Sequence, residues 1–320
     1  MPSQQVYTSR FMRAVVDVGS NSVLLVVAEK PGSDWIVVEE TSKVTGLGKG
    51  TKSSGQLSET GMSDTLSALK GAFQLAQERG CTQILASATM AARIAQNTLE
   101  FLERCRRQST PVQVMSGDQE AELGFLAVAN DQIFAGQELL TIIDVGGHST
   151  EVVTASRSEN GWAPTFKKSF AIGALALREE SLRLDAPPIQ DILSAVSRID
   201  DVISQRFLPS KCGLVVTLGA TGTNLVTIRD RISEWDPAKV HGTVLGYEDV
   251  SKAVSSLSPL GDAGRANVVG IEPGREHTLH AGALILERCL FAVGANECTV
   301  SVRGWRHAML EDDSLWSRPS

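Results

Sequence analysis

The segments VVDVGSNSVLLVV (residues 15–27) and IIDVGGHSTEVVT (residues 142–154) are two copies of one pattern. In each, an apolar strand runs into Asp-Val-Gly, the chain turns within three residues, and a second apolar strand follows. A strand, a tight turn and a strand predict a hairpin rather than a crossover connection. The copies align on Asp17 and Asp144, 127 residues apart, and a repeat of this kind predicts two structurally similar halves.

Length and charge restrict the class of protein. A chain of 320 residues is long enough for two domains of ordinary size, and 42% apolar with 21% charged residues is typical of a globular protein. The net charge of −7 argues against a general nucleic-acid-binding protein, so no nucleic-acid partner is expected. A polyanionic substrate would therefore need a local group of basic residues or a metal ion.

Targeting signals are absent from the sequence pattern. No apolar run approaches the ~18 residues of a membrane helix, and the N-terminus lacks the apolar core of a signal peptide, so we expect no membrane partner. Five cysteines form no Cys-x-x-Cys pair and are expected to be reduced thiols. These features predict a cytoplasmic protein.

The rest of the chain alternates strands and helices, which predicts an α/β fold. A helix is expected from Ser58 to Gly80, and further helices at 118–129, 188–206 and 277–293. Buried strands are expected at 82–89, 110–115 and 213–220. The predicted domains are residues 1–128 and 129–302, one for each copy of the repeat.

The two Asp-Val-Gly turns suggest phosphate binding. Glycines let main-chain N–H groups approach an oxyanion, and Asn21, Ser22 and Ser149 add side-chain donors. Asp17 and Asp144, at the ends of their strands, could hold Mg²⁺. The alternative is that each Asp-Val-Gly is only a hairpin turn, which two copies in the same frame make less probable.

The two turns resemble those of the acetate and sugar kinase/Hsp70/actin superfamily, and the chain is identified as similar to its exopolyphosphatase and guanosine pentaphosphate phosphohydrolase (Ppx/GppA) members. This resemblance implies two actin-like, ribonuclease H-like domains with a phosphate-binding cleft between them, and a C-terminal segment, about 303–320, that packs back on the first domain. The Ser-Gly-x-x-Glu-Ala motif at 116–121 separates this family from kinases and chaperones. The matching segments, in family order, are DVGSNSVLLVVAE (17–29), ASATMAARIAQN (86–97), VMSGDQEAELGF (114–125), IIDVGGHSTEVV (142–153), FAIGALALRE (170–179), VVTLGATGTNL (215–225) and VRGWRHAML (302–310).

The resemblance also implies roles for individual residues. Glu120 matches the carboxylate that activates the attacking water, and Arg93 matches an arginine that contacts the phosphate chain. Asp144 and Glu151 match acidic residues around a catalytic Mg²⁺ or Mn²⁺. The matching phosphate-loop positions are Asn21, Ser22, Gly146, Gly147, His148, Ser149 and Thr150. The alternatives are an exposed first-turn glutamate for Glu120, a surface salt bridge for Arg93 and a solvent-facing strand carboxylate for Glu151.

Two positions leave alternatives open. His148 replaces the usual glycine of the family, and its imidazole either points out of the cleft or donates a hydrogen bond to phosphate. The segment GATGT (219–223) is either a nucleotide-base loop or a glycine turn.

The resemblance predicts Mg²⁺-dependent release of terminal phosphate from inorganic polyphosphate or guanosine pentaphosphate, which differ little at the bond that is cleaved. The alternatives are a catalytically weak sensor that binds polyphosphate or (p)ppGpp and, less favoured, an ATP-dependent kinase. A homodimer is compatible with the pattern.

Overall fold

The computed structural model describes residues 11–203, 209 and 211–316, and within them the strands form two sheets. The first sheet has the order β3-β2-β1-β4-β5, and the second has the order β10-β11-β9-β6-β7-β8. The observed α/β class confirms the prediction. The strands are β1 (Met12–Val18), β2 (Ser22–Glu29), β3 (Ile36–Val44), β4 (Gln83–Ala88), β5 (Gln113–Val114), β6 (Leu139–Val145), β7 (Thr150–Ser158), β8 (Gly161–Phe170), β9 (Leu214–Leu218), β10 (Val244–Gly246) and β11 (Glu297–Val300).

The sequence repeat is also a repeat of topology. Strand β1 pairs antiparallel with β2 and parallel with β4, and β6 pairs in the same way with β7 and β9. Both predicted hairpins are therefore confirmed. In each hairpin the second strand starts within five residues of the end of the first, and Asp17 and Asp144 lie near the carboxyl ends of the equivalent interior strands β1 and β6.

Helices cover both sheets. The predicted helix after Ser58 is confirmed as α2, and the Ser58 hydroxyl caps it by accepting from the Gly61 N–H at 3.1 Å. The helix predicted at 188–206 is α7, whose predicted residues 204–206 lie outside the described residues. The helices are α1 (Thr51–Ser54), α2 (Glu59–Glu78), α3 (Met90–Ile94), α4 (Thr98–Arg107), α5 (Gly117–Ala129), α6 (Ala174–Glu180), α7 (Ile189–Val202), α8 (Gly219–Arg229), α9 (Pro237–Val240), α10 (Tyr247–Leu257), α11 (Asp262–Ala266), α12 (Leu279–Val293) and α13 (Trp305–Glu311).

Helices α5 and α13 each pack against the sheet of the other half of the sequence. Helix α5, which the predicted boundary at 128 assigns to the first domain, packs its Phe125 and Val128 against β6, β7 and β9 of the second sheet. Helix α13 returns to the first sheet, where Met309 packs with Val15 and Val26. The two helices also pack against each other, so α5 and α13 connect the packing of the two sheets. By packing, the second half begins at α5.

Three elements differ from the sequence interpretation. The segment 219–223 is neither a loop nor a glycine turn but the first turns of α8, which begins directly after β9. The strand expected at 110–115 pairs only over the two residues of β5. Strand β8 lies at the edge of the second sheet, and it was not expected from the sequence because it carries no continuous apolar run. In the described part of the chain, none of the helices has the length and apolar character needed to cross a membrane.

Candidate active site

A cavity of 470 Å³ lies between the two sheets, and both Asp-Val-Gly turns contribute to its wall. Of the predicted site residues, Arg93 and Thr150 do not line it. The Thr150 hydroxyl instead donates to the Ile172 carbonyl at 2.7 Å, which ties β7 to the chain that leads into α6. The predicted residues that do line the cavity are Asp17, Asn21, Ser22, Glu120, Asp144, Gly146, Gly147, His148, Ser149 and Glu151.

The two turns have the same main-chain geometry. The Gly19 N–H donates to the Ser22 carbonyl at 2.8 Å, and the Gly146 N–H donates to the Ser149 carbonyl at 2.9 Å. In the second turn, N–H groups of α6 hold the carbonyls of Gly146 and Gly147 at 2.9 and 3.0 Å. Gly173 makes this approach possible, since a Cβ there would lie 2.5 Å from the Gly147 carbonyl carbon.

Several buried polar atoms on the cavity wall have no hydrogen-bond partner within the described residues. Both amide atoms of Asn21, the Ser22 hydroxyl, the Asp17 Oδ1 atom, both ring nitrogens of His148 and the Arg306 Nε atom belong to this group. Buried polar atoms in folded proteins are almost always paired, so a group of unpaired ones on residues that line one cavity indicates a polar ligand. The donors in the group suit an oxyanion, and the carboxylate oxygen suits a cation.

The carboxylates of the cavity carry strongly perturbed pKa values. In the β6–β7 ladder Asp144 pairs with Glu151, and the equivalent partner of Asp17 in the β1–β2 ladder is Leu24. Burial and the nearby Glu120 raise the pKa of Asp144 to about 7. Burial, Glu120 and Asp144 also raise the pKa of Glu151 well above its ordinary value. The Ser169 hydroxyl, which donates to Glu151 Oε1 at 2.6 Å, acts in the opposite direction and lowers this pKa.

Asp17 is affected in the same way. Burial raises its pKa well above the ordinary value, and the charges of Glu120 and Asp144 act in the same direction, while Arg306 opposes them. Mutual repulsion of buried carboxylates is the situation that a bound cation relieves.

The carboxylates fit a metal ion held partly by substrate. No three Asp, Glu, His or Cys side chains in the described ranges are arranged to hold an ion by themselves. Mg²⁺, however, is commonly bound through one or two carboxylates, with waters and substrate phosphates completing its octahedron. The unpaired Asp17 Oδ1 atom and the buried Asp144 carboxyl suit that arrangement.

Glu120 and Arg93 form an ion pair with each other. The Arg93 Nη1 atom lies 2.8 Å from Glu120 Oε2 and 2.9 Å from the Met115 carbonyl oxygen. The two side chains are only 16% and 12% exposed, so the pair is not the surface salt bridge considered as an alternative. Burial raises the pKa of Glu120 more than Arg93 lowers it. The arginine that the resemblance assigns to the phosphate chain therefore holds the candidate base.

His148 lies inside the protein, where the two halves meet. It is fully buried, and a Cβ added to Gly48 of the first half would lie 2.6 Å from its Cε1 atom. Burial, assisted by the charge of Lys52, lowers the pKa of His148 to about 4, so the ring is neutral at pH 7. Close by, the Gly50 N–H donates to Glu179 at 2.9 Å, which links the halves. Of the two orientations left open, the imidazole does not point out into solvent.

The sequence interpretation gave no role to several residues of the wall. Arg306 and Arg275 line the cavity, and Arg306 pairs with Glu40 of β3 at 2.9 Å. Arg306 belongs to the matched segment VRGWRHAML, so a signal was present, but nothing in the segment shows that the start of α13 faces the cleft. Glu40 follows an ordinary strand pattern and had no signal.

Known proteins share this architecture and sequence. The sequence profile of the Ppx/GppA phosphatase family matches residues 25–316. The chain belongs to this family. Among Ppx/GppA relatives, Exopolyphosphatase 1 of Mycobacterium tuberculosis is 27% identical over 285 residues, which cover 87% of this chain and 81% of the relative.

Solved Ppx/GppA structures agree with the fold. The Aquifex aeolicus family member is 28% identical, with a TM-score of 0.78 over 97% of this chain and 100% of its own. An exopolyphosphatase from Cytophaga hutchinsonii has a TM-score of 0.83 over 94% of this chain and 96% of its own, and at 22% identity it supports the fold alone. The predicted actin-like α/β fold is confirmed for this Ppx/GppA protein.

Proposed function

We propose that this protein is an exopolyphosphatase-type hydrolase that releases terminal phosphate from inorganic polyphosphate, guanosine pentaphosphate or both. The observation that carries the proposal is the group of unpaired buried donors and the four carboxylates Asp17, Glu120, Asp144 and Glu151 on residues that line one cavity. Phosphoryl transfer is catalysed by positioning and by charge stabilisation, and this wall offers groups for both. The names of the relatives, among them Exopolyphosphatase 1, support the same chemistry.

In the proposed reaction, the Asn21 amide, the Ser22 hydroxyl and the turn around Gly146 bind the terminal phosphate. Glu120 orients a water molecule and accepts its proton as the water oxygen bonds to the terminal phosphorus. The P–O bond to the preceding phosphate breaks, so that orthophosphate is released and the shortened chain leaves with the bridging oxygen. Its raised pKa suits this role, because a base is most effective when its pKa approaches the working pH. Arg93 fixes the Glu120 carboxylate through their ion pair.

Asp144 and Asp17 are the proposed ligands for Mg²⁺ or Mn²⁺, and Glu151, the ladder partner of Asp144, is the proposed acidic neighbour of the ion. When bound, the ion supplies positive charge that offsets the charge of the phosphate oxygens in the transition state. Without it, the same carboxylates would repel a polyanion.

The apolar part of the cavity lining bears on the choice of substrate. Ile232, Trp235, Ile271 and Pro273 are among the lining residues and provide apolar surface that a bare phosphate chain does not need. Apolar and aromatic surface of this kind is typical of sites for an organic group. This observation favours a nucleotide such as guanosine pentaphosphate as a second candidate substrate beside inorganic polyphosphate.

A phosphate-release panel tests the proposal. Long polyphosphate, tripolyphosphate, guanosine pentaphosphate and ATP are each incubated with the protein, with and without Mg²⁺. Release from one of the first three above the rate with ATP is the expected result. Binding without release would support the catalytically weak sensor, and transfer to an acceptor other than water would support the kinase.

A further inference from the structure

Arg306 presents unused hydrogen-bond donors to the cavity. Its guanidinium is 15% exposed, and its Nη2 atom donates to Glu40 Oε1 at 2.9 Å. The Nε atom is buried without a partner among the described residues. The Nη1 atom lies close to the main chain, since a Cβ on Gly304 would be 3.3 Å from it. A guanidinium has five N–H donors in a fixed plane, so most of them remain for a ligand.

Glu40 and His307 fix the position of this guanidinium. The Gly304 N–H donates to His307 Nδ1 at 3.0 Å, so that nitrogen is the acceptor and the ring proton is on Nε2. The Nε2 atom lies 3.2 Å from Glu40 Oε1, the oxygen that also accepts from Arg306. Glu40 thus receives one hydrogen bond from each side, which holds its carboxylate and the arginine in one arrangement.

The charges of the unit are constant near pH 7. Burial lowers the pKa of His307 to about 4, so its ring is neutral. Burial alone would raise the pKa of Glu40, but His307 and Arg306 together lower it to about 2, so its carboxylate is charged. One positive and one negative group therefore persist among the residues that line the cavity.

Arg306 also acts electrostatically on the carboxylates of the site. It is the strongest positive influence on Asp17, and it lowers the pKa of Asp144 as well. The Arg93 guanidinium, in contrast, forms an ion pair with Glu120, and Arg93 does not line the cavity. We propose that Arg306, rather than Arg93, binds a phosphate group of the substrate, with Glu40 and His307 as its positioning residues. This assignment rests on the proposed function for its ligand class.

Direct binding tests the assignment separately from catalysis. Tripolyphosphate with Mg²⁺ is titrated into the full-length Glu120→Gln protein by calorimetry, so that turnover is slow. Arg306→Met in that background is expected to weaken binding by roughly 10- to 100-fold, the range for a lost charge-assisted hydrogen bond. Arg306→Lys keeps the charge but not the planar fork, and a smaller loss is expected.

Glu39 of β3 and Arg79, the C-cap residue of α2, provide matched controls. Glu39 precedes Glu40 and pairs with Arg79 away from the cavity. Glu39→Gln and Arg79→Met remove the same charges and are expected to leave the affinity unchanged. Glu40→Gln is expected to raise KM for polyphosphate more than it changes kcat, which a general loss of structure would not do.

The outcomes separate this assignment from the proposed function. An unchanged dissociation constant in Arg306→Met, or an equal loss in Arg79→Met, overturns the role of Arg306 even if the wild-type protein hydrolyses polyphosphate. Binding that depends on Arg306 without any hydrolysis by the wild-type protein overturns the proposed function and keeps the assignment. If Arg306→Met does not fold, as judged by thermal unfolding, Arg306→Lys decides, and an unchanged affinity there together with an unchanged affinity in Glu40→Gln overturns the assignment.

Discussion

The Glu120 carboxylate of α5 and the Arg93 guanidinium of α3 form a largely buried ion pair of 2.8 Å. The carboxylate of the proposed base is therefore oriented by Arg93, the residue that the sequence predicts to bind substrate. Glu120→Gln keeps the shape of the side chain but cannot accept a proton. We expect kcat for phosphate release to fall by ~10²–10⁴-fold with little change in substrate affinity.

The control for this variant is Glu122, two positions along α5. Its side chain is 66% exposed and lies 3.8 Å from Lys167, away from the cavity. Glu122→Gln should turn over like the wild-type protein. Normal activity in Glu120→Gln would remove Glu120 from the role of base.

Arg93→Met should change the pH dependence of the reaction. Arg93 lowers the pKa of Glu120, so its removal lets burial raise that pKa further. A general base acts only when deprotonated, and therefore the acidic limb of the kcat profile is expected to move to higher pH, by roughly 1 unit or more. If the acidic limb of the kcat profile stays at the same pH while KM rises, Arg93 contacts the substrate instead of setting the pKa of Glu120.

Metal removal should abolish activity, and Asp144→Asn should remove most of it. The metal-free protein also has a testable stability profile. Asp144 has a folded-state pKa of about 7 against an ordinary value of 3.8, so its contribution to stability is complete below pH 3.8 and is lost as the pH rises through 7. Asp144→Asn should recover up to about 4 kcal/mol at pH 8 in urea unfolding. Full phosphate release in the presence of a chelator would contradict the metal assignment.

The contribution of His148 to stability changes with pH in the opposite direction to that of Asp144. Its pKa is lowered to about 4 from 6.5, so the stability it contributes is present above pH 6.5 and is lost as the pH falls toward 4. Replacing it in His148→Gly should flatten this part of the profile, by no more than about 3 kcal/mol. In kinetics, the same variant should retain or raise activity if the ring only fills space, and should raise KM if the ring binds phosphate. A folded variant that binds substrate but is inactive would contradict both versions.

Gly48 and His148 should be energetically coupled. Gly48→Ala places a methyl group where it meets the imidazole, and we expect a loss of about 1–3 kcal/mol in unfolding free energy. The same Cβ would also approach Ser20 to 2.9 Å, so His148→Gly should restore only part of the loss. A double-mutant cycle measures the coupling, and additive effects would show that the two residues do not share this space.

The sequence predicted what repeats and missed what depends on distant packing. The two hairpins follow from apolar strands on either side of a glycine turn, so Asp17 and Asp144 were placed correctly at the ends of their strands. The role of Arg306 depends on α13 crossing from one half to the other, which no local pattern encodes. Residues 219–223 look like a turn because of their glycines, but they are the start of α8, which is held in place by Leu225 and Val226 in the core beside the second sheet.

The return of α13 has a consequence for how the chain folds during synthesis. The core of the first sheet includes Trp305, Met309 and Leu310, and the Leu310 carbonyl accepts from Arg13 at 2.7 Å. Strands made first by the ribosome therefore expose Val15 and Val26 until some 290 further residues have been translated. Contacts of such long range form slowly because the intervening chain must first be closed into a loop. The N-terminal half is thus expected to complete its fold last, after the second sheet that follows it in the sequence.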